Sequence, residues 1–540
     1  MMKKILFSAG VLLLLAVNTF GQSKSFKLGQ WVEIDNAILK ELNRSYVDTL
    51  PVDRIKMAGI EAMLEALDPY TVYIPEEDTE DLQMMLNKTY GGIGAVIFKP
   101  SKAGNVIIDE PYAGSPAVKS GLQCGDEIIE IDGVPADGLD AKGCTDRMKG
   151  KPGTTVKFKV KKVHSGEITD IYVTRERIHI PDVAYAGMLD GTTGYILQTG
   201  FTENVSADVK AGVNKLKAQG MKKLVLDLRG NGGGLMNEAI NIVSLFVPKG
   251  SLVVSQKGKS IKETVEYKTV LDPIDTEIPI VVLVDGGTAS SSEIVAGALQ
   301  DMDRATIMGT RTFGKGLVQS IRPLPYNGQL KVTTAKYYTP SGRCVQAIDY
   351  ATRAEDGSVA SIPDSLTREF KTAHGRTVRD GGGITPDEII DPHSYSRLTF
   401  SLVYNSIDNQ FAVDYYRRHP QIPALEAFHL TDADYEDFIA FAKDKEFDYR
   451  SSAKTLFDQM RKELDKDGLE KEMKAELDAL GKSLDMDKEQ FLRLKKDEIL
   501  PILEEEIAAR YYFQEAKIQV RLRYDRQLEE ALTRPMISFQ

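Results

Sequence analysis

The chain has 540 residues, 42% apolar and 27% charged, with a formal net charge of -11. That length exceeds what one hydrophobic core supports and predicts three or four folding units of an ordinary globular protein. The acidic balance argues against nucleic acid or an anionic membrane as the main partner, because both select basic surfaces.

Residues 1–21 read as a secretory signal peptide. Lys3 and Lys4 supply the positive start, residues 5–17 form a mostly apolar run, and the small Gly21 permits cleavage before Gln22. An uncleaved anchor is the alternative, although the run is short against the roughly 20 residues that span a bilayer. The expectation is an exported protein of the cell envelope, periplasmic in a Gram-negative host. Residues 22–88 predict helices: Ile34, Ile38 and Leu42 recur at helical spacing, a second helix stops at Asp68-Pro69, and a third precedes Tyr90. Residues 89–175 turn β-rich, with runs such as "TTVKFKVKKV" and "ITDIYVTRERI". Residues 176–393 alternate strand-like runs ("KKLVLDLR", "IPIVVLVDG") with helix-like ones, an α/β pattern with parallel strands, and 346–383 reads as an exposed loop. Residues 394–540 are charged and helical. Met473, Leu477, Leu480 and Leu484 make an amphipathic stripe there, read as part of a helical bundle or as an adaptor or homo-oligomer surface. Three cysteines, Cys124, Cys144 and Cys344, make neither a disulfide framework nor a metal set. Cys124 and Cys144 could pair in an oxidising compartment, but buried free thiols are the plainer reading.

Three constellations carry chemistry. "GGIG" (Gly91, Gly92, Ile93, Gly94) precedes a strand, and its backbone N–H groups could converge on a carboxylate while an extended peptide joins the strand edge. Downstream, "GSPAVKSGLQCGDEIIEIDG" (residues 114–133) closely resembles the PDZ signature. A PDZ domain implies recognition of protein or peptide partners with free C-termini. Next, "VVLVDGGTASSSEIVAGALQDM" sets a serine where an apolar strand, a Gly-Gly turn and a helix start meet. A helix start offers unpaired N–H groups that stabilise an oxyanion. Ser290-x-x-Glu293 is equally a capping-box pattern, the structural reading of the same residues. Finally, in "RTFGKGLVQSIRPL", Lys315 and Gln319 stand four apart on a strand-like run and so should share a face. A lysine in an apolar strand is costly unless neutral or paired, and a neutral lysine is what a base for serine requires.

Together these pieces resemble the C-terminal processing peptidases, or tail-specific proteases, which are Ser–Lys peptidases carrying a PDZ domain. The resemblance rests on "DLRGNGGG" (227–234), "GGTASSSEI" (286–294), "RTFGKGLVQ" (311–319), "TTAKYYTPSGR" (333–343) and "GITPD" (383–387), in family order and behind a PDZ domain. It implies Ser290 as nucleophile, Lys315 as general base and Gln319 as the residue orienting it. It also implies an oxyanion hole from the backbone of Ser291 and of Gly233 or Gly234. Departures are Thr288 and Ser291 within the serine motif, and Gly232 where the family commonly has proline. The implied fold is a crotonase-like α/β core with an inserted PDZ domain and helical N- and C-terminal regions. The implied activity is a secreted serine endopeptidase working through an acyl-enzyme, with no metal and no cofactor. None of the six histidines lies in a motif that would serve a Ser–His–Asp triad, and no HExxH motif occurs. The alternative is a non-catalytic PDZ scaffold, which would have lost Ser290 or Lys315.

Overall fold

A computed structural model describes residues 24–99, 105–354, 357–392 and 394–537. The signal-like segment 1–21 lies outside the described residues. The chain divides into two compact units, Met1–Tyr73 and Ile74–Gln540. In the first, α1 (Lys24–Ser45) and α2 (Val52–Glu65) are the predicted helices. The chain leaves α2 through a turn in which Asp68 Oδ1 accepts the N–H groups of Tyr70 and Thr71, both at 2.9 Å.

The second unit begins with α3 (Thr79–Asn87) and β1 (Thr89–Gly92). A β-rich body follows, built from β2 (Ala95–Phe98), β3 (Val106–Pro111), the short α4 (Pro116–Lys119), β4 (Glu127–Ile131), α5 (Ala141–Met148), β5 (Thr155–Lys161) and β6 (Ile168–Thr174). Its sheet runs β2-β3-β4-β5-β6. In β5, Val156, Phe158 and Val160 point inward between exposed or half-exposed Thr155, Lys157, Lys159 and Lys161, the period of two that one buried face imposes. β7 (Glu176–His179) pairs antiparallel with β1.

The α/β body comprises β8 (Val183–Met188), β9 (Thr193–Gln198), α6 (Val205–Ala218), β10 (Lys223–Asp227), α7 (Met236–Ser244), β11 (Leu252–Lys257), β12 (Val265–Lys268), β13 (Ile280–Val284), α8 (Ser291–Asp301) and β14 (Thr306–Gly309). After these come β15 (Leu317–Pro323) and β16 (Gln329–Tyr338). Every residue of β13 is buried, as expected of a parallel strand covered on both faces. The region expected to be an exposed loop, 346–383, instead contains two hairpins: β17 (Ile348–Arg353) with β18 (Val359–Ser361), and β19 (Glu369–Lys371) with β20 (Thr377–Arg379). Their glycine and aspartate content marked the turns and hid the short strands between them. β21 (Glu388–Ile389) closes the main sheet, whose order is β8-β9-β10-β13-β14-β21 and which is parallel except at β8. A second sheet joins β15, β16, β11 and β12, all antiparallel.

The rest is helical: α9 (Arg397–Tyr404), α10 (Ile407–Arg418), α11 (Asp432–Lys443), α12 (Ser452–Lys466), α13 (Lys474–Leu484), α14 (Lys488–Leu494), α15 (Lys496–Arg523) and α16 (Arg526–Thr533). Phe411, Phe438, Leu492 and Leu503 sit in their shared core. The predicted stripe on α13 is only partly used: Leu477 is buried, whereas Met473 and Leu480 are more than 40% exposed. α15 breaks at Phe513, whose φ of 64° and ψ of -166° are not helical. Among the described residues no helix is long and apolar enough to cross a membrane. Cys124 and Cys144 are buried free thiols, and Cys344 is free and half-buried.

Candidate active site

Two neighbouring parallel strands, β10 and β13, each end in a loop, and these loops are stitched together. Asp285 Oδ1 accepts the N–H of Gly230 (2.9 Å), Gly287 (2.9 Å) and Thr288 (3.1 Å). Thr288 Oγ donates to the Leu228 carbonyl at 2.8 Å. The Ala289 N–H (3.0 Å) and the Ser292 hydroxyl (2.9 Å) both donate to the Asn231 carbonyl. Gly233, at φ 91°, lies against this junction; a Cβ there would stand 2.6 Å from the Ala289 carbonyl oxygen and 2.8 Å from Ser290 Cβ. Only glycine permits that approach.

This junction separates the three serines. Ser291 and Ser292 are buried, their hydroxyls donating to the carbonyls of Gly234 (2.8 Å) and Asn231. Ser290 is half-buried at the start of α8, with φ 58° and ψ -115°. Such a conformation is strained for a residue with a Cβ and is held only by its surroundings. Tyr337 Oη donates to its carbonyl at 3.2 Å, and its own N–H donates to Glu293 Oε2 at 2.9 Å.

Glu293 does more than cap. It is fully buried, and Thr312 Oγ (2.6 Å) and the Gly314 N–H (2.8 Å) donate to Oε1 while the Lys315 N–H (2.8 Å) joins Ser290 on Oε2. Burial raises the pKa of this carboxyl, and the four hydrogen bonds act against that rise. The capping-box reading was local and did not reach across to residues 312–315.

Lys315 is half-buried, but it precedes β15 rather than lying within it, and the pairing of β15 with β16 shifts register between Val318 and Gln319. The period-two argument for a common face of Lys315 and Gln319 therefore does not apply: a strand boundary and a bulge intervene. The lysine loop is fixed by the Gly316 N–H donating to Gln346 Oε1 (2.7 Å) and the Ala347 N–H donating to the Gly314 carbonyl (2.9 Å). Gln319 donates its side-chain amide to Thr333 Oγ at 3.2 Å. Of the proposed oxyanion donors, Ser291 and Gly233 abut, while the Gly233 N–H is bonded to Asn231 Oδ1 at 2.9 Å. Asn231, Tyr337 and Gln346 are supporting residues that sequence reasoning had not assigned, and Glu293 was read there only as a helix cap. Among the described residues no His, Cys, Asp and Glu group could hold a metal ion.

In the "GGIG" segment, Gly91 and Gly92 are paired strand residues opposite Arg177 and Glu176, not a free turn. Ile93 is buried and its carbonyl accepts from the Ala117 N–H at 2.9 Å. Gly94 alone of the four has positive φ, 73°, and turns the chain into β2, which forms one edge of its sheet. A cleft of about 830 Å³ opens beside Gly91, lined by Tyr90, Lys149, Lys151, Arg177 and His179 among others.

Profiles of known families match three stretches: a PDZ domain at residues 82–161, peptidase family S41 at 192–352, and the C-terminal helical domain of PDZ-proteases at 398–534. The chain is thus a peptidase of the S41 class carrying a PDZ domain. A carboxy-terminal-processing protease of Bartonella bacilliformis is 36% identical over 355 residues, 64% of this chain and 80% of that protein. The carboxy-terminal processing protease CtpA of Bacillus subtilis is 32% identical over 346 residues, 64% of this chain and 72% of its own. A solved photosystem II D1 C-terminal processing protease is 26% identical, covering 65% of this chain and 91% of its own with a TM-score of 0.34. Within the S41 class, the chain belongs to the family of carboxy-terminal processing serine proteases.

Proposed function

We propose that this chain is an exported serine endopeptidase of the cell envelope that captures protein C-termini at its PDZ domain and cleaves peptide bonds through an acyl-enzyme. Ser290 is the nucleophile and Lys315 the general base, on a core of the crotonase type. One observation carries the reading: a single buried carboxylate, Glu293, receives the backbone N–H of both Ser290 and Lys315. Ser290 is also the serine whose hydroxyl is not turned into the bracing that engages Ser291 and Ser292.

In this mechanism the neutral Lys315 amine takes the Ser290 Oγ proton as the oxygen attacks the substrate carbonyl. Gln319 orients the lysine. The oxyanion forms at the start of α8, where the Ser291 N–H and that of Gly233 or Gly234 face it; Gly233 would have to exchange its bond to Asn231 for the oxyanion. Lysine then protonates the leaving amine, and water repeats the attack on the ester. The chemistry calls for no cofactor. Substrate C-termini would extend along the open edge of β2 with their carboxylate toward the Gly91–Gly94 segment.

The test is cleavage of an unstructured protein, with the cut ends identified by mass spectrometry, by wild type, Ser290→Ala, Lys315→Ala and Lys315→Arg. Wild-type rate should rise with pH as the lysine ammonium is lost. All three variants should fold and lose turnover: Ser290→Ala removes the nucleophile, Lys315→Ala removes the base, and in Lys315→Arg a guanidinium stays charged. Amidating the substrate C-terminus should weaken capture. Turnover by Ser290→Ala or Lys315→Arg would sink the mechanism. A wild-type protein that neither cleaves nor is labelled by an acylating serine reagent would favour the scaffold.

A further inference from the structure

The loop that carries Gly233 is held from the far end of the helical region. Arg229, in "DLRGNGGG", extends a guanidinium whose side chain is 18% exposed. Its Nε donates to both Asp227 oxygens at 3.0 Å, and one terminal nitrogen donates to Asp525 (3.1 Å) and to Gln527 Oε1 (2.9 Å). The other terminal nitrogen bridges Asp227 and Asp525. Burial works against the arginine's charge, and the two carboxylates reverse that, holding it firmly protonated. Asp227 is itself fixed by Tyr195 Oη at 2.7 Å. Asp525 caps α16 through the Leu528 N–H (2.9 Å), and Gln527 donates to the Ile390 carbonyl (2.7 Å). A planar fork gripped on both edges has one orientation. The loop behind it is glycine-rich, with Gly230, Gly233 and Gly234 all at positive φ, so its path is set by the bonds it makes to Arg229's partners and to the 285–292 segment.

We propose that Asp525, in the turn between α15 and α16, and Gln527, in the first turn of α16, are positioning residues of the active site, acting through Arg229 on the 227–234 loop. The inference rests on reading Ser290 as the nucleophile and that loop as an oxyanion donor. The same loop presents the Asn231 carbonyl to Ala289 and Ser292, so its displacement moves the backbone on both sides of Ser290. Oxyanion donors act only at their correct distance, and a misplacement of an ångström lowers the chemical step rather than substrate capture.

The full-length chain tests this through Asp525→Asn, which keeps a capping side chain but removes the charge on the outer edge of Arg229. We expect kcat to fall roughly tenfold or more with KM within about twofold, as for an interaction felt mainly in the transition state. Acylation of Ser290 by a small ester, which does not engage the PDZ domain, should slow equally. Asp525→Glu should restore part of the rate. In an Arg229→Met background, Asp525→Asn should have no further effect. If Asp525→Asn fails to fold, Gln527→Met replaces it, with a smaller fall in kcat that again disappears beside Arg229→Met. Wild-type kcat in the folded variant, a loss confined to KM, or an effect additive with Arg229→Met would overturn the proposal. Turnover by Ser290→Ala, run alongside, would instead show that the nucleophile reading is at fault.

Discussion

At the scale of single residues, Glu293 decides the geometry. Its two oxygens accept four donors, two of them the backbone groups of Ser290 and Lys315. Glu293→Gln has nearly the same shape, but its NH2 would face N–H groups that need an acceptor. We expect that variant to lose most of its peptidase activity and about 2–4 kcal/mol of stability, the cost of stranding buried donors, measured by urea unfolding beside a turnover assay. Thr312→Val, which removes one donor and leaves the carboxylate otherwise served, should be milder in both. Ser290's place at a strand-to-helix junction was legible because the apolar run, the glycine pair and the helix start are adjacent in the chain. The wider role of Glu293 was not, since Ser-x-x-Glu is the same pattern whether it only caps a helix or also reaches a second loop.

Elements show where local pattern stops being sufficient. Alternation identified the strands of the β-rich body, and unbroken apolarity identified β13. The position of Lys315 was misjudged because a strand boundary and a bulge leave no mark in the alternation. In α10, Asp408 occupies the first turn, where a carboxylate ordinarily gains from the helix dipole. Here it is 5% exposed, and burial, aided by the nearby Glu506, pushes its pKa up to about 7. A carboxyl that holds its proton more tightly folded than unfolded favours the fold at low pH. That contribution is lost as pH rises from near 4 through about 7. Asp408→Asn should therefore flatten this part of the stability profile. It should raise stability at pH 8 by about 3–4 kcal/mol and leave it nearly unchanged at pH 4, read from thermal melts across that range. A gain that is the same at both pH values would mean that Asp408 is not the titrating group.

Across the whole second unit, the PDZ body and the helical region are joined by buried and half-buried ions on both sides of the break in α15. Arg510 pairs with Asp109 at 2.9 Å and with Glu506 at 3.0 Å; Lys517 pairs with Glu110 at 3.1 Å and with Glu506 at 2.7 Å. Arg510 has no exposed side chain. Arg510→Ala would leave the half-buried Asp109 with the Asn409 amide (2.7 Å) but without its counter-ion, and we expect a loss of about 3 kcal/mol. In calorimetry the PDZ body should then melt as a separate, earlier transition, and a single unshifted transition would count against the seam. Arg510 and Glu506 stand four apart on one helix, whereas the pairings with Asp109 and Glu110 were not readable from sequence, because they join residues about 400 positions apart. The same distance gives the Arg229 contact a meaning in time. Asp525 follows Arg229 by 296 residues. A ribosome adding roughly 5–20 residues each second needs about 15–60 s to cover that interval. Throughout it, the outer edge of the arginine fork has no carboxylate to meet, so the nascent peptidase carries its serine and lysine for much of its own synthesis before the last clasp of the loop exists.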